Sequence, residues 1–364
     1  MSQELKLIFS GGGTGGHIFP AVAIAREFQK RNKGVDILFV GALGKMEMEK
    51  VPAEGFKIIG LPVEGLLRSF SLKNFKIIFK AIDSYFKAKR IIREFNPTAV
   101  IGTGGFASLP ITVAATRLGL PVFAWEGNGF AGLTNKLLKK SAKRIFCGFD
   151  GMDEQFPYKN WVHSGNPIRQ EILEKANKKE AAQHFALNPD KSIVFVTGGS
   201  LGARSINEAV QASLKTWTDN GIQIIWQTGK NFQPTQIPDG VWNSAFLKEM
   251  HLAYSCADLV ISRSGATSVS EIMAVGIPAI FVPSPNVTDD HQTKNALKAT
   301  QHGGAILIKD NELKEKLTHQ VVDLLTRNDE LQNMRSQLLK HSKPRATQEI
   351  VNQILKDLNH ESVL

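Results

Sequence analysis

Four glycine-rich segments in this chain have residue types suited to holding phosphate. GGGTGGH (11–17) follows an apolar run, LKLIFS (5–10), and leads into a helical pattern. Glycine reaches positive φ and lets backbone N–H groups approach an anion. The helix N-terminus adds partial positive charge. GTGGFAS (102–108) and GGSLGAR (198–204) repeat the arrangement after other apolar runs. In RSGATSVSE (263–271), Ser264, Thr267, Ser268 and Ser270 crowd around Gly265 where a helix begins. Hydroxyls and free N–H groups there can hold a phosphate. Glu271 follows on the same helix, and its carboxylate can accept both hydroxyls of a ribose. A dipole-favoured acid near a helix start explains Glu271 equally well. A tight turn explains any one glycine loop, but three at strand ends are harder to dismiss.

Several chemistries lose support. Gly11, Gly13 and Gly16 fit G-x-G-x-x-G, a dinucleotide signature that needs an acid closing the second strand. Here that strand ends Phe39-Val40-Gly41, with Asp36 at its start. The P-loop pattern G-x-x-x-x-G-K-[ST] is absent, and so is a metal-carrying D-x-D. The two cysteines, Cys147 and Cys256, have no metal-ligand spacing, which points away from structural zinc and towards a reducing compartment.

Alternating elements must position these loops. With 364 residues, 42% hydrophobic and 21% charged, the chain suits two globular domains. Strand-like runs at 5–10, 35–41, 56–63, 98–104, 121–126 and 144–149 alternate with helical patterns, the first helix starting near Pro20. The pattern breaks at GNPIR (165–169), continues through a polar, helix-like 170–187, and restarts at 192–197. Further runs follow at 222–229, 242–247, 258–265, 278–285 and 305–309, with a helical tail from 311. Continuous apolar strands between helices imply parallel sheets covered on both faces. The expected fold is α/β, two doubly wound halves divided as 1–163 and 164–344. A ligand would lie in the cleft between them, at the carboxyl ends of the strands.

Charge divides unevenly. Residues 1–163 carry 23 basic and 13 acidic side chains, whereas 164–364 carry 21 of each. An anionic partner for the first half, or simply a solubility surface, follows from that asymmetry. Much of the excess lies in 66–93. There Arg68, Lys73, Lys76, Lys80, Lys87, Lys89, Arg90 and Arg93 face one acid, Asp83. Leu72, Phe75, Phe79, Ile82 and Phe86 recur at helical spacing among them. Such a helix suits an anionic membrane surface. The alternative is an apolar stripe packed on the sheet, with Ile78 or the phenylalanines partly exposed. No nucleic-acid motif accompanies the charge, so nucleic acid is not expected as a partner. No leader pattern opens the chain, and no run is long and apolar enough to span a bilayer.

The segments GGGTGGHIFPAVAIA, GTGGFASLP, EGNGFAGLTNK, GNPIR, GGSLGARSIN, ISRSGATSVSEI and HQTKNAL together, in this order, resemble one family. It is that of the UDP-N-acetylglucosamine–N-acetylmuramyl-(pentapeptide) pyrophosphoryl-undecaprenol N-acetylglucosamine transferases (MurG type). The resemblance spans residues 11 to 297. It implies a GT-B fold, two Rossmann-like doubly wound domains facing across a cleft, with the C-terminal helix (345–364) returning to the first domain. It further implies UDP-N-acetylglucosamine as donor and lipid I as acceptor. Lipid I is undecaprenyl-diphospho-N-acetylmuramoyl-pentapeptide. Its muramoyl 4-hydroxyl would displace UDP with inversion to a β linkage, giving lipid II at the cytoplasmic face of the membrane.

By similarity, Thr14, Gly15, Gly16 and Asn128 contact the donor side. Arg169, Ser200 and Leu247 match donor positions, Leu247 meeting the uracil through its backbone. Ala266, Thr267, Ser268, Val269, Ser270 and Glu271 would hold diphosphate and ribose, and Gln292 the sugar hydroxyls. Gly127 and His291 depart from the glutamines frequent in the family. Helix N-termini, hydroxyls and Arg169 would stabilise the departing diphosphate electrostatically, with no metal and no cofactor expected. The attacking hydroxyl needs a proton acceptor. His17 closes the first loop, and an unperturbed imidazole titrates near ~6.5, suited to base work. Glu126, at the end of PVFAWE, is the rival. His17 can alternatively orient the acceptor diphosphate.

Overall fold

The computed structural model describes residues 5–65, 73–174, 176–199 and 201–360. Two compact units divide the chain: Met1–Pro167 with Arg345–Leu364, and Ile168–Pro344. In the first, short apolar runs become strands and glycines end them. Its order is β1 (Lys6–Ser10), α1 (Gly15–Arg31), β2 (Asp36–Ala42), α2 (Glu47–Ala53), β3 (Lys57–Leu61), α3 (Lys73–Phe95), β4 (Ala99–Gly102), α4 (Leu109–Arg117), β5 (Val122–Glu126), α5 (Leu133–Leu138), β6 (Arg144–Cys147) and β7 (Trp161–His163). The strands form one sheet in the order β3-β2-β1-β4-β5-β6-β7, and every pairing is parallel. Strand order reverses between β1 and β4, and two of the glycine loops leave the sheet there. Ligands of open α/β sheets bind at such a switch point.

Successive side chains alternate between the two faces of the sheet. Leu7, Phe9, Ile37 and Phe39 meet Ile18, Ile24 and Phe28 of α1 on one face. Ile8, Val40 and Val100 meet Ala88, Ile91 and Ile92 of α3, and Ile111 of α4, on the other. Cover on both faces is why the strands read as unbroken apolar runs.

The second unit contains α6 (Lys178–His184), β8 (Ile193–Thr197), α7 (Arg204–Asp219), β9 (Gln223–Gln227), β10 (Val241–Ser244), α8 (Met250–Cys256), β11 (Leu259–Ser262), α9 (Ala266–Val275), β12 (Ala279–Phe281), α10 (His291–Thr300), β13 (Ala305–Leu307), α11 (Leu313–Thr326) and α12 (Asn328–His341). Its parallel sheet runs β10-β9-β8-β11-β12-β13, with the switch point between β8 and β11. The glycine loop after β8 and the serine-rich loop after β11 flank it. The last helix, α13 (Ala346–Asp357), belongs to the first unit. There Ile350, Val351, Ile354 and Leu355 are fully buried in the α1 face of the core. Arg144 adds a two-pronged ion pair to Asp357, at 2.5 and 2.8 Å. Ile354→Ala is therefore expected to destabilise the first unit by about 2–5 kcal/mol, read by denaturant unfolding.

Several sequence expectations need correction. The division expected at about 163–167 falls after Pro167, because Ser164 and Gly165 N–H groups donate to the Cys147 carbonyl, both at 3.1 Å, and keep these residues with the first unit. The first helix starts at Gly15, not near Pro20. Thr14 is extended, and its carbonyl accepts from His17 and Ile18; glycine's poor helix propensity hid that turn. The helix-like 170–187 is a 3-10 turn at Gln170–Leu173 and then α6, which restarts where Asn177 caps the Lys179 N–H at 2.8 Å. β7 has only three residues, too few for a readable period.

Candidate active site

The glycine loops of the first unit divide by what they touch. Thr103 Oγ1 donates to the His17 carbonyl at 2.7 Å, and His17 Nδ1 lies 2.9 Å from the Thr103 carbonyl. A carbonyl oxygen only accepts, so this hydrogen bond needs the proton on Nδ1, and in the neutral ring that places the lone pair on Nε2. Gly104 (φ 96°) makes this possible, since a Cβ there would lie 2.9 Å from Nδ1 of the ring. Thr14 and Gly16 are exposed at the start of α1, just ahead of the helix's first backbone hydrogen bonds, which His17 and Ile18 make to the Thr14 carbonyl.

Glu126 ends β5 at 3% exposure. Its Oε1 accepts from the Asn128 N–H (3.1 Å) and side-chain amide (3.3 Å). Its Oε2 accepts from the Gly132 N–H (2.7 Å) and Asn135 Nδ2 (2.9 Å). Four N–H groups thus converge on one buried carboxylate, which staples the 127–135 loop. Asn135 also donates to the Trp125 carbonyl at 3.0 Å. Sequence reasoning did not single it out, although it lies within the quoted EGNGFAGLTNK segment. The departure at Gly127 has an internal cause: a Cβ there would sit 2.3 Å from the Trp125 indole.

In the second unit, α9 begins at Ala266. Gly265 is its extended N-cap, no acid stands in the first turn, and a Cβ on Gly265 would meet nothing within 4 Å. Ala266, Thr267, Ser268 and Ser270 are half-buried, and Val269 is buried. The buried Ser264 hydroxyl has no partner among the described residues. Glu271 is 6% exposed and holds Arg169 Nε at 3.2 Å. Burial pushes the Glu271 carboxyl above its ordinary range, against the opposing pull of Arg169. Tyr254 lies buried nearby, its phenol raised by burial and then by the Glu271 charge. Arg169 also stands 3.9 Å from Glu171, so its guanidinium is directed at carboxylates.

Gln227 joins two donor-side segments that sequence alone does not connect. Its Nε2 donates to the Gly199 carbonyl at 2.9 Å, and its Oε1 accepts the Leu247 N–H at 3.2 Å. The group Leu247 can offer a ligand is therefore its carbonyl. Gln292 Oε1 accepts the Ser284 N–H at 2.9 Å, leaving its amide hydrogens to donate. Ser200 lies outside the described residues. Both cysteines are buried and their thiols pushed up by burial, Cys256 to about 12, so neither is a ready nucleophile.

Along α3, Ile77, Ser84, Ala88, Ile91 and Ile92 face the protein, while Phe79, Ile82 and Phe86 are 69, 49 and 62% exposed. Three cations beside this outward stripe are paired: Lys80 with Glu64 (2.5 Å), Lys87 with Asp83 (2.9 Å) and Arg90 with Glu94 (2.6 Å). Arg68 and Leu72 lie outside the described residues, as do the side chains of Lys73, Phe75, Lys76 and Ile78. No described helix is long and apolar enough to cross a membrane.

Two doubly wound units in one chain, with glycine loops at both switch points, have the architecture of a GT-B glycosyltransferase. The chain belongs to glycosyltransferase family 28: the family's N-terminal domain matches residues 7–147 and its C-terminal domain residues 193–350. A Christiangramia forsetii protein is 43% identical over 99% of this chain and 100% of its own. It is named UDP-N-acetylglucosamine--N-acetylmuramyl-(pentapeptide) pyrophosphoryl-undecaprenol N-acetylglucosamine transferase. A Porphyromonas gingivalis protein of the same name is 43% identical over 99% of this chain and 97% of its own. The crystal structure of Acinetobacter baumannii MurG superimposes with a TM-score of 0.79 at 28% identity, covering 97% of this chain and 99% of that one. The calicheamicin glycosyltransferase CalG4 (TM-score 0.72, 13% identity, covering 98% and 99% of the two chains) shares the fold.

Proposed function

We propose that this chain transfers N-acetylglucosamine from UDP-N-acetylglucosamine to the muramoyl 4-hydroxyl of undecaprenyl-diphospho-N-acetylmuramoyl-pentapeptide. UDP leaves, the anomeric centre inverts, and a lipid-linked β-1,4 disaccharide forms. The observation that carries this reading at the site is the N-terminus of α9, capped by Gly265 with no acid in its first turn, together with the buried Glu271 on the same helix.

Leaving UDP gathers negative charge on its diphosphate. The α9 N–H groups at Ala266, Thr267 and Ser268, with the hydroxyls of Thr267, Ser268 and Ser270, stabilise that charge, and preorganised donors cost no rearrangement. Val269 packs beneath them. Glu271 accepts the ribose hydroxyls, held in place by Arg169. The Leu247 carbonyl takes the uracil N–H, Ser200 is assigned to the donor by the family resemblance alone, and Gln292 donates to the sugar. Thr14, Gly15, Gly16 and Asn128 meet the transferred sugar. His17 Nε2 takes the proton of the attacking hydroxyl, while Glu126 positions Asn128. No metal is needed in this scheme.

The acceptor is lipid-linked, and α3 suits the surface where it resides. An outward apolar stripe flanked by lysines and arginines fits the interface of an anionic bilayer, and a peripheral location on the cytoplasmic face follows. Phe79→Ser with Phe86→Ser is expected to weaken binding to phosphatidylglycerol vesicles by about a hundredfold or more, at ~1.5–3 kcal/mol per buried Phe and ~1.4 kcal/mol per factor of ten. Turnover of a water-soluble acceptor should stay unchanged. Co-sedimentation and a coupled UDP assay measure the two.

The direct test is UDP release from UDP-N-acetylglucosamine in EDTA with a short-chain acceptor analogue. Acceptor-dependent release with a disaccharide product supports donor, acceptor and metal independence together. Tight donor binding without release would point to a different acceptor.

A further inference from the structure

A carboxylate with no part in that scheme lies directly behind the first glycine loop. Glu47, the first residue of α2, is completely buried. Its Oε2 accepts the Gly13 N–H and its Oε1 the Ala42 N–H, each at 3.0 Å. The side chain passes two glycines that leave room for it. A Cβ on Gly12 would lie 2.1 Å from Oε1, and one on Gly41 would lie 2.6 Å from Cγ. Neither glycine has positive φ, so space and not backbone conformation requires them. The far end of GGGTGGH is different. A Cβ on Gly16 would meet only Thr14 Oγ1, at 3.7 Å, and one on Gly15 only the Phe19 ring. Gly12 and Gly13 thus face inward to the protein, whereas Gly15 and Gly16 show their backbone outward.

We propose that Glu47 is a positioning residue. It locks Gly13 to the end of β2 and so sets the loop conformation in which Thr14, Gly15 and Gly16 meet the substrate; Gly12 is glycine to admit Glu47, not ligand. This rests on the assignment of Thr14–Gly16 to the transferred sugar. A carboxylate is the matching group because it offers two acceptor oxygens to two amides. Glutamine in the same place turns an NH2 group towards one of them.

The test combines steady-state transfer, inhibition by UDP and hydrogen exchange of the peptide spanning 11–17. In E47Q, loop exchange should quicken and kcat/KM fall by about 10–100-fold, since small misplacements of positioning groups carry losses of that size. The UDP inhibition constant should stay within about twofold, because the residues assigned to UDP lie on the other unit, a split that general destabilisation would not produce. G12A should be similarly impaired. In G12A/E47A the added methyl occupies vacated space, so the double variant should be no worse than E47A. Wild-type transfer and exchange in E47Q would overturn the proposal. So would a double variant whose loss is the product of the two single losses, which would mean that Gly12 is small for the ligand. Should E47Q aggregate, E47D, which keeps the charge but is one methylene short, is read by the same criteria. Acceptor-dependent UDP release by the unsubstituted chain is the control. Its absence would overturn the assigned reaction, and loop exchange would still decide whether Glu47 holds the loop.

Discussion

Replacing His17 by alanine should lower kcat for transfer by about 10²–10⁴-fold, the usual worth of a positioned general base. The binding of UDP should be unaffected, because its assigned residues lie on the other unit. The expectation comes from the ring's setting. With Nδ1–H fixed on the Thr103 carbonyl, the imidazole presents one tautomer, whose Nε2 accepts a proton. The acid limb of the kcat pH profile should disappear with the ring. Glu126→Gln is the companion measurement. Since its carboxylate takes four N–H groups of the 127–135 segment, its replacement should loosen that loop and lower thermal stability. It should leave the pH limb in place. An unchanged kcat in the His17 variant would remove the histidine from the base role.

Glu271→Gln should reduce kcat/KM for the donor by about 10²-fold, through a higher KM. Hydrogen bonds to a charged group are worth ~1.5–3 kcal/mol, and ~1.4 kcal/mol is a factor of ten. A donor lacking the ribose 2′-hydroxyl should lose affinity for the unsubstituted enzyme and little for the variant. Burial also fixes the sign of the pH dependence. It raises the Glu271 pKa above the unfolded value, so the protonated form favours folding. That contribution is fully present below the unfolded pKa and is lost as pH rises through the folded one. Donor binding runs the other way, because the ionised form accepts the hydroxyls. KM should therefore rise as pH falls into the raised range, and the glutamine variant should lack that rise. At neutral pH the same variant should melt higher, with Arg169 still half in solvent. A KM that is independent of Glu271 would assign the ribose to another group.

Strands and loops were readable because the buried sheets impose unbroken apolar runs and their ends demand glycine. Phe9 and Phe39 announce β1 and β2, and Gly13 and Gly104 the turns after β1 and β4. The partnerships were not readable. Arg169 meets Glu271 across 102 positions of chain, and Gln227 meets both Gly199 and Leu247. Such pairs arise from the crossovers of a doubly wound sheet, which leave no local period. Glu47 was missed for a related reason. Among Met46, Met48 and nearby charged residues it reads as a solvated first-turn acid, and only the fold places it beneath Gly13. On α3, the two faces could be separated only once Ala88, Ile91 and Ile92 were placed against the sheet.

The return of α13 to the first unit sets an order of assembly during synthesis. Residues 168–344 are contiguous, so their sheet and helices can be complete while translation continues. The other unit lacks Ile350, Val351, Ile354 and Leu355 until the chain has been made past all of 168–344. Four buried aliphatic residues, at ~2–5 kcal/mol each, rival the whole ~5–15 kcal/mol stability of a domain. The half whose strands are made first is therefore finished after the other, and a chain cut after residue 344 would keep only its second unit secure.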